Sequence, residues 1–428
     1  MPPDEIAEVR PRLLGFAAEM LGGLPRKDQR AAGELYVRGL LTDGQRKSMV
    51  PMAARLGTDH QRLRQFITSS TWDYAAVRAN VARWFAGNQP VEALVADDTG
   101  FPKDGTASPC VARQYSGTLG KTANCQAAVS VHLVNEHASC AAGWRLFCPE
   151  SWDDRALDDP AAAAARRRRE RAGIPAGVRH REKWRLALDM IDEMTGPGGW
   201  GAAEEIPAAG GARPVLAADI GYGDNALFRQ QLTARGRQYA VAVKGGTTAY
   251  AGGAVPQARP YGGLGQPPEP AYPGPPATVR QLAIAHADHV RPVTWRQGTR
   301  TSKDNPGAAM TSSFLAIRVR PASRHIPRAA DRSFPACWLL AGWPPEADEP
   351  AGYWLSTVPQ NTPISELVRL AKIRWRVEHD YRELKTGLGL DHFEGRSFAG
   401  WHRHVTLAVL AQAFTAMTRT DPKVHAPG

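Results

Sequence analysis

The stretch RPVLAADIGYGDNALFRQQLTARGRQYAVAVKGG, residues 213–246, constrains the fold more than any other. An apolar run ends at Asp219, a glycine-bearing turn follows, then helical spacing, then a second apolar run. Strand, turn, helix and strand in that order are the rhythm of α/β architecture. A similar run, VEALVADDTG at residues 91–100, ends in Asp97 and Asp98, as a buried strand does. VARQYSGT and CQAAVSVHLV read as the next two strands of a three-stranded meander. From residue 245 to 359 the helical pattern disappears. A Pro/Gly-rich stretch is followed by the short runs QLAIAHA, RPVTWRQG, SFLAIRVR, CWLLAGW and YWLSTV, which read as strands of a mostly β insertion.

Residues 1–90 carry apolar spacings of three and four and read as an all-helical N-terminal domain. Within it MAARLGTDHQRLRQFI has the shape of a helix-turn-helix, with Arg62, Arg64 and Gln65 available to DNA. The formal net charge of +11 also favours an anionic partner, and PAAAAARRRRER at residues 160–171 is a basic helix or loop. Five cysteines without a C-x-x-C pair argue for neither a disulfide framework nor a zinc site, and suit a reducing cytoplasm. No apolar stretch approaches the length of a membrane span.

AKIRWRVEHDYRELKTGLGL near the C-terminus is dense in charge. Thr362 suits an N-cap, Pro363 a first helical position and Gly387 a C-terminal stop. On a continuous helix Leu370, Ile373, Val377, Tyr381, Leu384 and Leu388 form the apolar face. Arg374, Glu378 and Lys385 then fall within about 40° of each other along its border. The plain alternative is a surface ladder of ion pairs. Asp97 or Asp98, Asp219 and Glu378 are nonetheless the acids a hard oxygen-seeking cation wants, since acids at strand ends need something positive.

On these residues the chain resembles the DDE transposases of bacterial insertion sequences, in the group with a Tyr-x2-Arg-x3-Glu-x6-Lys signature. Arg374, Glu378 and Lys385 match its spacing, whereas Ala371 stands at the tyrosine position, where the family holds a terminal phosphate. VADDTGFPKDG and LAADIGYGDNALFRQQL resemble the first- and second-aspartate segments, and the likeness runs from about residue 91 to 404. The family's Asp-x-Thr pattern selects Asp97 with Thr99, with Asp98 as the alternative. The resemblance implies a ribonuclease-H-like core interrupted by the β insertion. The interval of 122 residues from Asp97 to Asp219 grows to 159 from Asp219 to Glu378, which leaves room for it. It also implies catalytic and metal-binding roles for Asp97, Asp219 and Glu378, with Mg²⁺ (or Mn²⁺ in its place), two ions in all, and DNA contacts from Arg374 and Lys385. The partners expected are double-stranded DNA, both the terminal inverted repeats and the target, and a second copy of the chain on that DNA. The expected location is the cytoplasm, on the nucleoid. A DNA-binding regulator without catalysis, or a nuclease that does not join strands, are the rival readings.

The expected domains are 1–90, helical and DNA-binding; 91–244, the first part of the core; 245–359, the insertion; and 360–428, the helices carrying Glu378. SGTLGKT at residues 116–122 lacks the first glycine of a phosphate loop, since Tyr115 stands there, and it lies between strands. Lys121 remains a candidate phosphate contact. Trp295, beside Arg296, is a candidate platform for a displaced base. His379, His392, His402 and His404 read as surface or DNA-facing groups, not zinc ligands.

Overall fold

The computed structural model describes residues 3–117, 119–196, 213–263, 265–298, 301 and 305–420. It is mixed α/β and divides into two compact units. The first contains residues 1–92, 96–212 and 375–428; the second contains 93–95 and 213–374.

The first unit opens with five helices: α1 (Pro3–Leu21), α2 (Lys27–Leu41), α3 (Met49–Leu56), α4 (His60–Thr68) and α5 (Tyr74–Asn88). The helix-turn-helix expectation falls on α3 and α4. Gly57 closes α3 at φ 63°, a left-handed conformation that glycine adopts without strain, and the Asp59 side chain caps α4. Arg62, Arg64 and Gln65 lie on the exposed face of α4, while Leu63, Phe66 and Ile67 are buried.

Four strands follow: β1 (Ala93–Pro102), β2 (Ala112–Ser116), β3 (Lys121–Val134) and β4 (Ser139–Leu146). The expected meander is not found, because β3 lies between β2 and β1 and also pairs with β4. At 14 residues β3 is long enough to pair with β2 along its first half and with β4 along its second. Two helices, α6 (Ala161–Ala172) and α7 (Lys183–Thr195), lead away, and α7 packs on β3. The arginine run is thus helical, and its Arg169 is buried against the carbonyls of Trp152, Pro175 and Val178.

In the second unit β5 (Val215–Ala218), the short α8 (Ile220–Gly223), α9 (Ala226–Ala234) and β6 (Tyr239–Val243) realise the strand-turn-helix-strand expectation, with β5 and β6 parallel. The sheet continues with β7 (Thr248–Ala251), β8 (Ala277–Thr278), β9 (Arg291–Gln297), β10 (Ala309–Pro321), β11 (Cys337–Gly342) and β12 (Gly352–Ser356). Its order from β5 is β5-β6-β12-β11-β10-β7-β8, with β9 on β10. QLAIAHA departs from the strand expectation. It forms α10 (Val279–Ile284) and a 3-10 turn, because Thr278 and Gln281 make a reciprocal capping box that starts a helix there.

The charged C-terminal segment is not one helix. α11 (Ile364–Lys372) closes the second unit and α12 (Trp375–Arg382) begins a new run in the first, with a turn at Ile373 and Arg374. Pro363, not Thr362, is the N-cap of α11. α12 passes into a π-helical turn at Glu383–Gly387, and the left-handed residue beyond it is Gly389 at φ 64°, not Gly387. Of the expected apolar face, Leu370, Ile373, Val377, Leu384 and Leu388 are buried, and Tyr381 is partly buried. The last helix, α13 (Phe398–Thr420), runs through the first unit and packs on α2, α4, α5 and β4. Its fully buried apolar side chains, such as Trp401, Val405 and Leu410, each contribute ~1.5–3 kcal/mol of burial free energy.

Candidate active site

In the first unit the candidate residues lie on β1 and in the α12 region. Asp97 is 7% exposed, because β1 is an inner strand apolar on both faces, and its Oδ1 accepts from the Asp98 backbone N–H at 2.8 Å. Asp98 points the other way, as strand alternation requires, and meets Lys183 Nζ at 2.6 Å. Sequence reading missed α7 and therefore Lys183. The signal was present, since Trp184, Leu188 and Ile191, with Ala187 and Met194, recur at helical spacing.

Lys385 Nζ donates to Thr99 Oγ1 at 2.7 Å and to the Gly100 carbonyl at 2.8 Å, and lies over the Phe101 ring. Burial pushes its pKa down. The segment after α12 is thereby tied to the Asp-x-Thr strand. Glu378 is exposed on α12, not at the core edge. A projection carried across the break at Ile373 and Arg374 misplaces it, because helical phase is not conserved through a turn. Glu383 makes an ion pair with Arg419 and accepts from Thr415, both on α13.

The second unit holds Asp219 and Arg374. Asp219 ends β5 and caps α8, with Oδ1 accepting from Gly221 N at 2.9 Å and Tyr222 N at 3.3 Å. Arg374 Nη1 lies 3.9 Å from Asp219 Oδ2. Ala371, at the tyrosine position of the signature, is buried in an apolar cluster with Leu367, Leu370 and Val215. Trp295 packs half-buried against that same cluster. Lys121 is exposed at the start of β3.

The histidine expectation needs correction. His402 and His404 are buried at 2% and 1% exposure, because α13 runs through the interior. His404 lies between Tyr36 Oη, at 2.8 Å, and the Gly389 carbonyl, at 3.0 Å, and burial pushes its pKa down to about 4. His402 stacks on Tyr74, and burial holds its pKa well below the usual range. Only His379 of the four is exposed, and His392 is half-buried.

His379, Asp380 and Glu383 bring ligand atoms within 4.8 Å of one another. They make a poor metal centre. Both Asp380 oxygens are engaged, by His132 and Ser139, and Glu383 is paired with Arg419. Asp97 and Glu378 in the first unit and Asp219 in the second are each carboxylates, a donor type that suits a hard divalent cation better than a softer metal.

Residues 19–302 match the family described as DDE superfamily endonuclease, and residues 195–414 match the transposase DDE domain. A relative from Microchaete diplosiphon, described as a probable transposase for insertion sequence element IS701, is 30% identical over 164 residues. That alignment spans 37% of this chain and 37% of the relative. Among the described residues no helix is long and apolar enough to cross a membrane.

Proposed function

Because the chain belongs to the DDE superfamily of endonucleases and transposases, we propose that it is an insertion-sequence transposase, cutting DNA at the ends of its element and joining them to target DNA. The observation that carries the reading is the Lys385–Thr99 bond at 2.7 Å. It joins the lysine of the Arg-x3-Glu-x6-Lys segment to the threonine of the Asp-x-Thr strand across 286 residues of sequence.

In this reading Asp97, Asp219 and Glu378 would hold two Mg²⁺ ions, or Mn²⁺ in their place. Ions held there would supply Lewis-acid chemistry for phosphoryl transfer. Asp98 is the weaker candidate, since Lys183 already neutralises it. Lys385 braces β1 beside Asp97, and Arg374 supplies positive charge beside Asp219 for a DNA phosphate. With Ala371 in the apolar core, any terminal-phosphate contact falls to other groups. The exposed Arg62 and Arg64 on α4 face element ends, with Lys121 as a backbone contact. A base platform at Trp295 would need that ring to leave the core cluster.

The fold that goes with this reading is a ribonuclease-H-like core (91–244 and 360–428) preceded by helical residues 1–90, with 245–359 as a β insertion. The parallel β5–β6 pair and the antiparallel strands after it support that division. The protein works as a homodimer on DNA, in the cytoplasm at the nucleoid.

The test is a labelled donor carrying the element's terminal repeats, incubated with target DNA and Mg²⁺. A transposase yields both end cleavage and joined product. Cleavage without joining supports a nuclease. Binding with neither, under Mg²⁺ or Mn²⁺, supports a regulator and refutes the proposal.

A further inference from the structure

Two acids on α12 sit two residues apart and have opposite surroundings. Glu378 is exposed, whereas Asp380 is 2% exposed in the interior of the first unit. A buried carboxylate needs partners to offset lost hydration, and Asp380 has them on both oxygens. Ser139 Oγ donates to Oδ1 at 2.6 Å, and His132 Nδ1 lies 2.7 Å from Oδ2. His132 Nε2 meets Ser130 Oγ at 2.9 Å, and Ser130 Oγ meets the Tyr381 hydroxyl at 2.6 Å.

One proton ordering satisfies every member. Tyr381 O–H donates to Ser130, Ser130 O–H donates to Nε2, and Nδ1–H and Ser139 O–H donate to the two Asp380 oxygens. The chain leaves α12 at Tyr381, crosses β3 and returns to α12 at Asp380. Ser130, His132 and Asp380 have the connectivity of a hydrolytic triad, but Ser130 and His132 are 0% exposed, so no substrate reaches the hydroxyl.

The sheet is adapted to this arrangement. Val131 pairs with Gly143 and Leu133 with Cys140, so two β4 residues, Ala141 and Ala142, face the single residue His132. That is a β-bulge, which kinks the pair locally and re-aims side chains. Its backbone is provided for: Ala141 N–H donates to Gln412 Oε1 of α13 at 3.2 Å, and the Ala141 carbonyl accepts from the Trp144 indole at 2.8 Å. A third tie holds the start of α12, where the Arg376 guanidinium donates to the Glu136 carbonyl in the β3–β4 turn.

We propose that His132, Ser130 and Ser139, acting on Asp380 and Tyr381, form a positioning clamp that fixes the rotation of α12 and so the direction in which Glu378 projects. Asp380 is a positioning residue, not a catalytic one. Apolar contacts by Val377 and Leu384 bury the helix but tolerate rolling. Directed hydrogen bonds to two successive side chains on it do not. The proposal rests on Glu378 as the catalytic acid.

The test compares Asp380→Asn, Tyr381→Phe and Ser139→Ala with wild type in two assays. The first is hydrogen exchange of metal-free, DNA-free protein, read separately over α12 and α13. The second is single-turnover nicking at saturating DNA, with DNA affinity measured in parallel. Asp380→Asn should speed exchange across α12 while α13 stays protected, and should slow nicking by ~10–100-fold with DNA affinity nearly unchanged. Tyr381→Phe should move both readouts in the same direction by less. Equal loss of protection in α12 and α13 would reduce the network to general stability and overturn the clamp. So would wild-type nicking in folded Asp380→Asn. If Asp380→Asn does not fold, unchanged exchange and nicking in Tyr381→Phe and Ser139→Ala overturn it instead. If wild type itself does not nick, the transposase reading fails, and the exchange data still decide whether α12 is clamped.

Discussion

Asp219 in the second unit and Glu378 in the first are held in different ways. Asp219 is fixed by its own turn, through backbone N–H groups two and three residues on. Glu378 rides on a helix tied to the His132 and Ser139 side chains and the Glu136 carbonyl, about 240 residues earlier in the chain. A local turn sets a carboxylate cheaply, since little chain entropy is spent beyond the turn itself. A helix placed by tertiary bonds depends on the whole unit being folded. The two acids should therefore respond differently to perturbation.

The largest contrast is expected at Asp219. Asp219→Asn should cut nicking by at least ~10²-fold, while Gly221→Ala should cost roughly tenfold. A Cβ on Gly221 would stand 3.2 Å from Asp219 Oδ1, crowding the carboxylate without touching the core. Single-turnover rates with thermal melts check this. A silent Gly221→Ala beside a dead Asp219→Asn would show that the turn does not set the acid.

Acidification should separate the two units next. His404 has a pKa of about 4 in the folded protein because burial disfavours the charged ring. Its unfolded counterpart takes a proton near ~6.5, so the unfolded state binds more protons between those values. Stability is present above that upper value and is lost as pH falls toward the lower one, on the order of 3 kcal/mol for His404. His402 acts in the same direction. The described histidines of the second unit, His286, His289 and His325, are not buried. Exchange protection should thus fall in α13 before it falls in β10 and β11, and His404→Gln should flatten the dependence. Simultaneous loss in both units would contradict the contrast.

The same division marks what could be read from sequence. The strand end at Asp219 and the α3–Gly57–α4 shape are local patterns that found their elements, whereas Asp97, read as a strand end, lies in the middle of β1, which continues to Pro102 because Thr99, Gly100 and Phe101 stay buried in the sheet. The partner that distinguishes Asp98 from Asp97, Lys183, could not be read beside them in sequence because it sits on a helix 85 residues away. The break before α12 was missed because Ile373 and Arg374 carry no glycine or proline to announce it. His402 and His404 were misread because a polar residue looks the same in solvent as in an interior where Tyr36, Gly389 or Tyr74 receives it. The bulge opposite His132 has no local signature at all.

The most direct measurement compares Glu378→Gln with Glu383→Gln on a labelled terminal-repeat donor with Mg²⁺, under single-turnover conditions. The two glutamates lie five positions apart, one exposed on α12, the other bonded to Arg419 and Thr415. The account predicts that Glu378→Gln abolishes nicking and joining while DNA binding and melting temperature stay near wild type. Glu383→Gln should keep most activity and lose only the modest stability of a partly exposed ion pair. Near wild-type nicking by Glu378→Gln, with loss in Glu383→Gln, would contradict it and move the catalytic acid to Glu383.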